Sequence, residues 1–126
     1  MPARLTLRVE LARGRLGPGK VELLEHISET GSLAAAARSM EMSYKRAWEL
    51  LSTMNDMFAE PVAVSLPGRN LQGSTRLTVF GERVIALYRA IERRAELAAT
   101  AAISELSASS RPARAAVRRS PARKRA

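Results

Sequence analysis

The segment from residue 31 to residue 55, GSLAAAARSMEMSYKRAWELLSTMN, constrains the fold of this chain more than any other. Ser32 and Ser43 suit the starts of two helices, because their hydroxyls can accept a hydrogen bond from a first-turn N–H. The run Ala34–Ala37 is small enough for close contact between those helices. The second helix has one apolar face and one polar face. The segment therefore predicts a helix-turn-helix, the motif whose second helix enters the DNA major groove.

The polar face of the second helix supplies candidate contacts to DNA. Arginine and lysine favour guanine O6 and N7, glutamate can accept from cytosine N4, and groups at a helix start commonly bind phosphate. The alternative is a solvated face with an Arg46–Glu49 ion pair, whereas Trp48 is expected to pack at the border of the core. The residues predicted to contact DNA are Ser43, Tyr44, Lys45, Arg46, Glu49 and Ser52, with Arg69 and Asn70 from a later loop.

The turn between the two helices departs from the usual pattern at one position. Glycine commonly occupies that position, but this chain has Glu41 there. A glutamate tolerates a positive φ poorly. We therefore expect a turn that is slightly strained or differently shaped.

The residues before the motif predict a strand and a helix. Apolar and polar side chains alternate between positions 5 and 11, and a period of two is typical of a half-buried strand. A helix is predicted over residues 18–30, because Pro18 suits the first helical position and Gly31 can end the helix in the left-handed conformation.

The residues after the motif predict a wing and a long last helix. Strands at 62–66 and 75–78 enclose a basic loop, and Thr78 can cap a helix whose apolar stripe continues to Ala102. One small domain cannot cover that stripe, so the second half of the helix is expected to contact another subunit. The residues predicted for dimerisation, from the first half of the same helix, are Val84, Leu87, Tyr88 and Ile91. The predicted fold is mainly α with a small β-wing, a winged helix-turn-helix with a long C-terminal dimerisation helix.

The positive charge is concentrated at the C-terminal end. The formal net charge is +9, from 21 Lys and Arg against 12 Asp and Glu. Residues 107–126 hold seven cations and no anion, so residues 1–106 carry a net charge of only +2. We expect a folded domain over 1–106 and a disordered basic tail over 107–126. Such a tail adds sequence-independent affinity for phosphate, and a solubilising extension is the alternative.

Composition argues against several other classes of protein. The absence of cysteine excludes disulfides, thiolate zinc sites and a cysteine nucleophile. No apolar run approaches the about 18 residues of a membrane span, which favours a cytoplasmic protein without a membrane partner. His26 is the one histidine, for which a surface or half-buried position on a helix is favoured over a metal site, and no catalytic constellation stands out. We therefore expect no enzyme activity, no cofactor and no metal.

Several short sequence runs together form a more specific pattern. They are GPG at 17–19, LL at 23–24, ETGS at 29–32, AAA at 35–37, MSYKRAW at 42–48, MN at 54–55, LT at 77–78 and Gly81. With them, the chain resembles the N-terminal DNA-binding domain of the ModE family of molybdate-responsive bacterial regulators. It is similar, more loosely, to the winged domain of LysR-type regulators.

The resemblance implies a homodimer formed through the first strand and the first and last helices, with two recognition helices on a palindromic operator. The loop at 68–73 departs from the family's usual glycine-rich wing. No part resembling a molybdate-binding domain follows residue 106, so molybdate sensing by this chain is not implied, and no small-molecule effector is evident.

Three functions stay open from the sequence. The first is a sequence-specific transcriptional regulator that binds double-stranded DNA as a homodimer. The second is a nucleoid-type architectural DNA binder in which the basic tail dominates. The third is a winged-helix module that binds a protein partner, because the fold alone does not fix function. The polar face of the second helix favours the first.

Overall fold

The computed structural model describes residues 3–66 and 74–114 and, within them, shows a winged helix-turn-helix. The elements are β1 (Val9–Leu11), β2 (Gly14–Leu16), α1 (Pro18–Thr30), α2 (Leu33–Ser39), α3 (Tyr44–Met57), β3 (Ala63–Ser65), β4 (Thr75–Leu77) and α4 (Val79–Ser109). β1 and β2 form one antiparallel hairpin, and β3 and β4 form the base of the wing as a second one. The predicted fold class is confirmed.

The core of the domain is built around α1. Val21, Leu23, Leu24 and Ile27 of this helix are 0–1% exposed. Their spacing places three of them on one face and Leu23 at its edge, so that α2, α3 and α4 can all pack on the same helix. Burying an aliphatic side chain of this size contributes about 1.5–3 kcal/mol to folding, which makes α1 the main source of cohesion.

The helices begin and end where local chemistry predicts. Three hydroxyls cap helix starts by accepting a backbone N–H: Ser32 from Ala35 (3.0 Å), Ser43 from Arg46 (3.0 Å) and Thr78 from Gly81 (2.9 Å). At the other end of α1, Gly31 adopts a φ of 70°, in the left-handed region. The predicted boundaries of α1 and the predicted caps of the other helices are therefore confirmed.

The N-terminal segment differs from its prediction. Of the strand predicted over 5–11, only Val9–Leu11 is a strand, and it pairs with Gly14–Leu16, for which no strand was predicted. The residues before Val9 approach α4 instead, where the Tyr88 hydroxyl donates to the Leu7 carbonyl at 2.7 Å. The alternation in the sequence therefore reflects an extended segment with one side on a helix.

Two of the residues predicted for dimerisation, both on the last helix, are instead buried within their own chain. Val84 and Tyr88 are 3% and 0% exposed and belong to the chain's own core, whereas Leu87 and Ile91 are 45% and 43% exposed. α4 continues to Ser109, past the predicted domain boundary at residue 106. Its 31 residues span about 46 Å. Residues 115–126 of the predicted tail lie outside the described residues.

Glu41 adopts a φ of 56°, the one positive φ at a non-glycine among the described residues. The turn is held by backbone hydrogen bonds to α2, from Glu41 N–H to Arg38 O at 3.1 Å and from Met42 N–H to Ala37 O at 3.0 Å. The left-handed conformation costs an L-residue roughly 1–2 kcal/mol. The strain expected from the sequence is therefore present in the backbone.

We expect Glu41→Gly to raise the free energy of unfolding by about 0.5–1 kcal/mol, because the relief of strain exceeds the extra entropy of an unfolded glycine. Urea denaturation measures this gain. Glu41→Ala is the control, since it removes the carboxylate but keeps the Cβ. An equal gain in the alanine variant would show that the destabilisation comes from the Glu41 carboxylate rather than from the positive φ.

Candidate nucleic-acid interface

The second helix of the helix-turn-helix, α3, is called the recognition helix below. It packs against the core with one face and exposes the opposite face to solvent. Its buried residues are Ala47, Leu51, Met54 and Met57, which follow each other at three- and four-residue intervals. This spacing places them on one side of the helix, toward the core. The opposite side is consequently held at the surface in a defined orientation.

The structure places the predicted contact residues of α3 on that surface. Ser43, Tyr44, Lys45, Arg46 and Glu49 are exposed, and Ser52 is half-buried. Within the part of the chain that the structure describes, neither Arg46 nor Glu49 forms an ion pair within 4 Å. The intrahelical pair that would favour a merely solvated face is therefore not formed. Arg69 and Asn70 lie outside the described residues.

Trp48 is 53% exposed, which corrects its predicted place at the core border. Tyr44, one helical turn earlier on the same flank, is 49% exposed. Ala47 occupies the centre of the buried face, so a neighbour 100° further round the helix points outward. The flank of the recognition helix therefore presents two large aromatic side chains to solvent.

Asn55 ties the recognition helix to the wing. Its Oδ1 accepts from Val62 N–H at 2.7 Å and from Ala63 N–H at 3.4 Å, and its Nδ2 donates to the Ala63 carbonyl at 3.3 Å. The sequence marked this residue only as part of the MN pair at 54–55. An amide that satisfies three backbone groups fixes the angle at which β3 leaves α3.

Three cations outside the predicted face accompany Arg46. Arg8, Arg15, Lys20 and Arg46 line an open cleft of about 500 Å³ between the β1–β2 hairpin, the start of α1 and α3. We call it the basic cleft. Among the described residues, the others that line it are Gly, Pro, Met and Leu, and none of these is an anion. The sequence held a signal for it in the run RLGPGK, which places two cations around a helix start.

Two other kinds of feature are absent from residues 3–66 and 74–114. In these two stretches, no helix is long and apolar enough to cross a bilayer. No group of three or more histidine, cysteine, aspartate or glutamate side chains there is arranged to hold a metal ion.

Comparison with known proteins finds relatives that share part of their length with this chain. It is 39% identical over 90 residues to the molybdenum transport protein ModE of Azotobacter vinelandii, covering 71% of this chain and 33% of that protein. It is 44% identical over 84 residues to the molybdenum-pterin-binding protein MopB of Rhodobacter capsulatus, covering 67% and 31%.

A third relative is named for DNA binding. The chain is 32% identical over 89 residues to the DNA-binding transcriptional dual regulator ModE of Escherichia coli K12, covering 70% of this chain and 34% of that protein. The chain thus spans about a third of the length of the relatives it matches. No family model matches the sequence.

Proposed function

Because this chain belongs to the ModE family over the N-terminal region that it shares with those longer proteins, we propose that it binds double-stranded DNA and regulates transcription. The observation that carries the proposal is the exposed face of α3. Lys45, Arg46 and Glu49 stand on it without an ion-pair partner in the described chain. Such side chains read base edges in the major groove when the helix beneath them is rigidly held.

The second part of the proposal is that the protein acts as a homodimer on a palindromic operator. The buried residues of α4 are Gly81, Val84 and Tyr88, which pack against the rest of the same chain. No described residue of the helix after Tyr88 is buried. The apolar stripe of the helix continues past Tyr88, and its next bulky member, Ile91, is 43% exposed. A two-fold interface along this helix would cover that stripe and present two recognition helices to half-sites about one DNA turn apart.

The third part concerns sequence-independent affinity. The seven cations of residues 107–126 and Arg69 of the wing loop are proposed to contact backbone phosphates. Phosphate contacts position a protein on DNA and make its affinity depend on salt, whereas base contacts select the sequence. Specificity is therefore assigned to the domain over residues 1–106.

Selection of duplexes from a random library tests the proposal directly. We expect enrichment of an inverted repeat whose halves are separated by about one helical turn. Uniform retention of all duplexes would favour an architectural binder and overturn sequence-specific regulation. No retention of DNA would overturn the proposal altogether and favour a protein-binding module.

Arg46→Ala should relax base preference at one position in each half-site, costing about 1–3 kcal/mol there if the contact is bidentate. Competition titrations with all four bases at each operator position measure the preference. Arg93→Ala is the matched control, because Arg93 is exposed on α4. If the Arg46 variant keeps the wild-type preference at every position, the recognition face is wrongly assigned.

A further inference from the structure

The basic cleft is shaped by contacts that keep its cations together. The Lys20 ammonium donates to the Arg15 carbonyl at 2.7 Å. The Arg8 side chain crosses the start of α1, where a Cβ on Gly17 would lie 2.9 Å from its Cγ. A Cβ on Gly19 would meet nothing within 4 Å, so that side of the cleft is open. The position of the Arg8 side chain therefore depends on the glycine at position 17.

The cleft has no counter-charge of its own. Within the ranges described, none of Arg8, Arg15, Lys20 and Arg46 forms an ion pair within 4 Å. Burial, followed by the charges of Arg15, Arg46 and Arg8, lowers the pKa of Lys20. Like charges held together beside apolar walls focus a positive potential into the space between them. A bound anion would relieve that repulsion.

We propose that the basic cleft is a phosphate-binding site and that, resting on the DNA-binding function proposed above, its ligand is a backbone phosphate beside the bases that α3 contacts. Guanidinium and ammonium groups are suited to phosphate oxygens, arginine by paired hydrogen bonds and lysine as a point charge. Arg46 and Leu50 of the recognition helix form one wall of the cleft. A duplex seated on α3 therefore brings its backbone to the cleft mouth.

The salt dependence of DNA binding tests this proposal. Each phosphate contact contributes about 0.9 to the slope of log K against log salt concentration. We expect Lys20→Gln and Arg15→Gln each to lower that slope by up to this amount and to leave the base preference unchanged. Arg93→Gln is the charge-matched control and should keep the wild-type slope. A wild-type slope in both cleft variants would overturn the DNA phosphate as ligand.

Neutral methylphosphonates placed singly along the duplex locate the contact. In the wild type, one substitution beside each half-site should weaken binding at least several-fold, and in Lys20→Gln the same substitution should have little further effect. Full additivity of the two changes would place the contact elsewhere. The slope can be measured on a duplex of any sequence, whereas the scan needs a half-site that fixes the register. A library selection that finds no base preference would therefore leave the cleft proposal open to its own test by the salt slope.

Inorganic phosphate distinguishes a free anion from a DNA phosphate. If thermal unfolding at constant ionic strength shows saturable stabilisation that Lys20→Gln abolishes, while the DNA salt slope stays unchanged, the cleft takes free phosphate and the DNA assignment is wrong. If neither the slope nor the unfolding temperature depends on Lys20, the cleft binds no phosphate and the whole proposal is overturned.

Discussion

Gly81→Ala is expected to lower the free energy of unfolding by about 3 kcal/mol or more, since overpacking against backbone has little means of relaxing. A Cβ on Gly81 would lie 2.0 Å from the Val62 carbonyl oxygen and 3.3 Å from the Val62 Cα. α4 would have to move away from the wing base to make room. That movement breaks the hydrogen bond from Thr78 N–H to the Val62 carbonyl, which is 3.0 Å long.

Urea denaturation of the purified protein measures the loss. Gly19→Ala is the matched control, because a Cβ there meets nothing within 4 Å and alanine favours a helix. The control should be as stable as the wild type or slightly more stable. Equal stability of the Gly81 variant would contradict the close approach of α4 to Val62, the residue before β3.

The double substitution Leu87→Glu with Ile91→Glu is expected to give a folded monomer. Both side chains are more than 40% exposed in the single chain, so charging them should spare the core. In the proposed dimer the exposed parts of four such side chains, two from each protomer, would be covered, and losing these contacts costs about 3–6 kcal/mol. The dimer dissociation constant should therefore rise by about 100-fold or more.

Sedimentation at micromolar concentration measures the oligomeric state, and circular dichroism checks that the helices remain. Val79→Glu is the control, since Val79 is 89% exposed at the first turn of α4, away from the proposed interface. It should sediment like the wild type. A wild-type monomer, or a double variant that still sediments as a dimer, would refute the proposed interface.

The sequence predicted those parts of the fold that depend on neighbouring residues. The caps at Ser32, Ser43 and Thr78 and the left-handed Gly31 each need only a few adjacent positions, and all four are confirmed. The short strand β2 was missed because its pairing with β1 depends on a turn between Leu11 and Gly14. A periodicity measured over one segment does not show such a partner.

The remaining differences between prediction and structure depend on contacts between segments that are far apart in the sequence. The apolar stripe of α4 indicates that one face of the helix is covered, but it does not show whether the same chain or a partner covers it. Val84 and Tyr88 were therefore assigned to a partner, although the core of the same chain covers them. Trp48 was placed at the border of the core by its angle on the helix, but α3 is rotated so that Ala47 lies at the centre of the buried face and Trp48 is exposed. The basic cleft needs the hairpin to approach α3, which no local pattern specifies.

The hydrogen bond between Tyr88 and Leu7 also orders the assembly of the molecule during synthesis. The two residues are 81 positions apart, so the segment before β1 is made long before its partner leaves the ribosome. Closing so long a loop comes late, after the local helical contacts have formed. The three helices around the turn can therefore collapse first. The leading segment should be the last part of the described chain to become protected from a protease during translation.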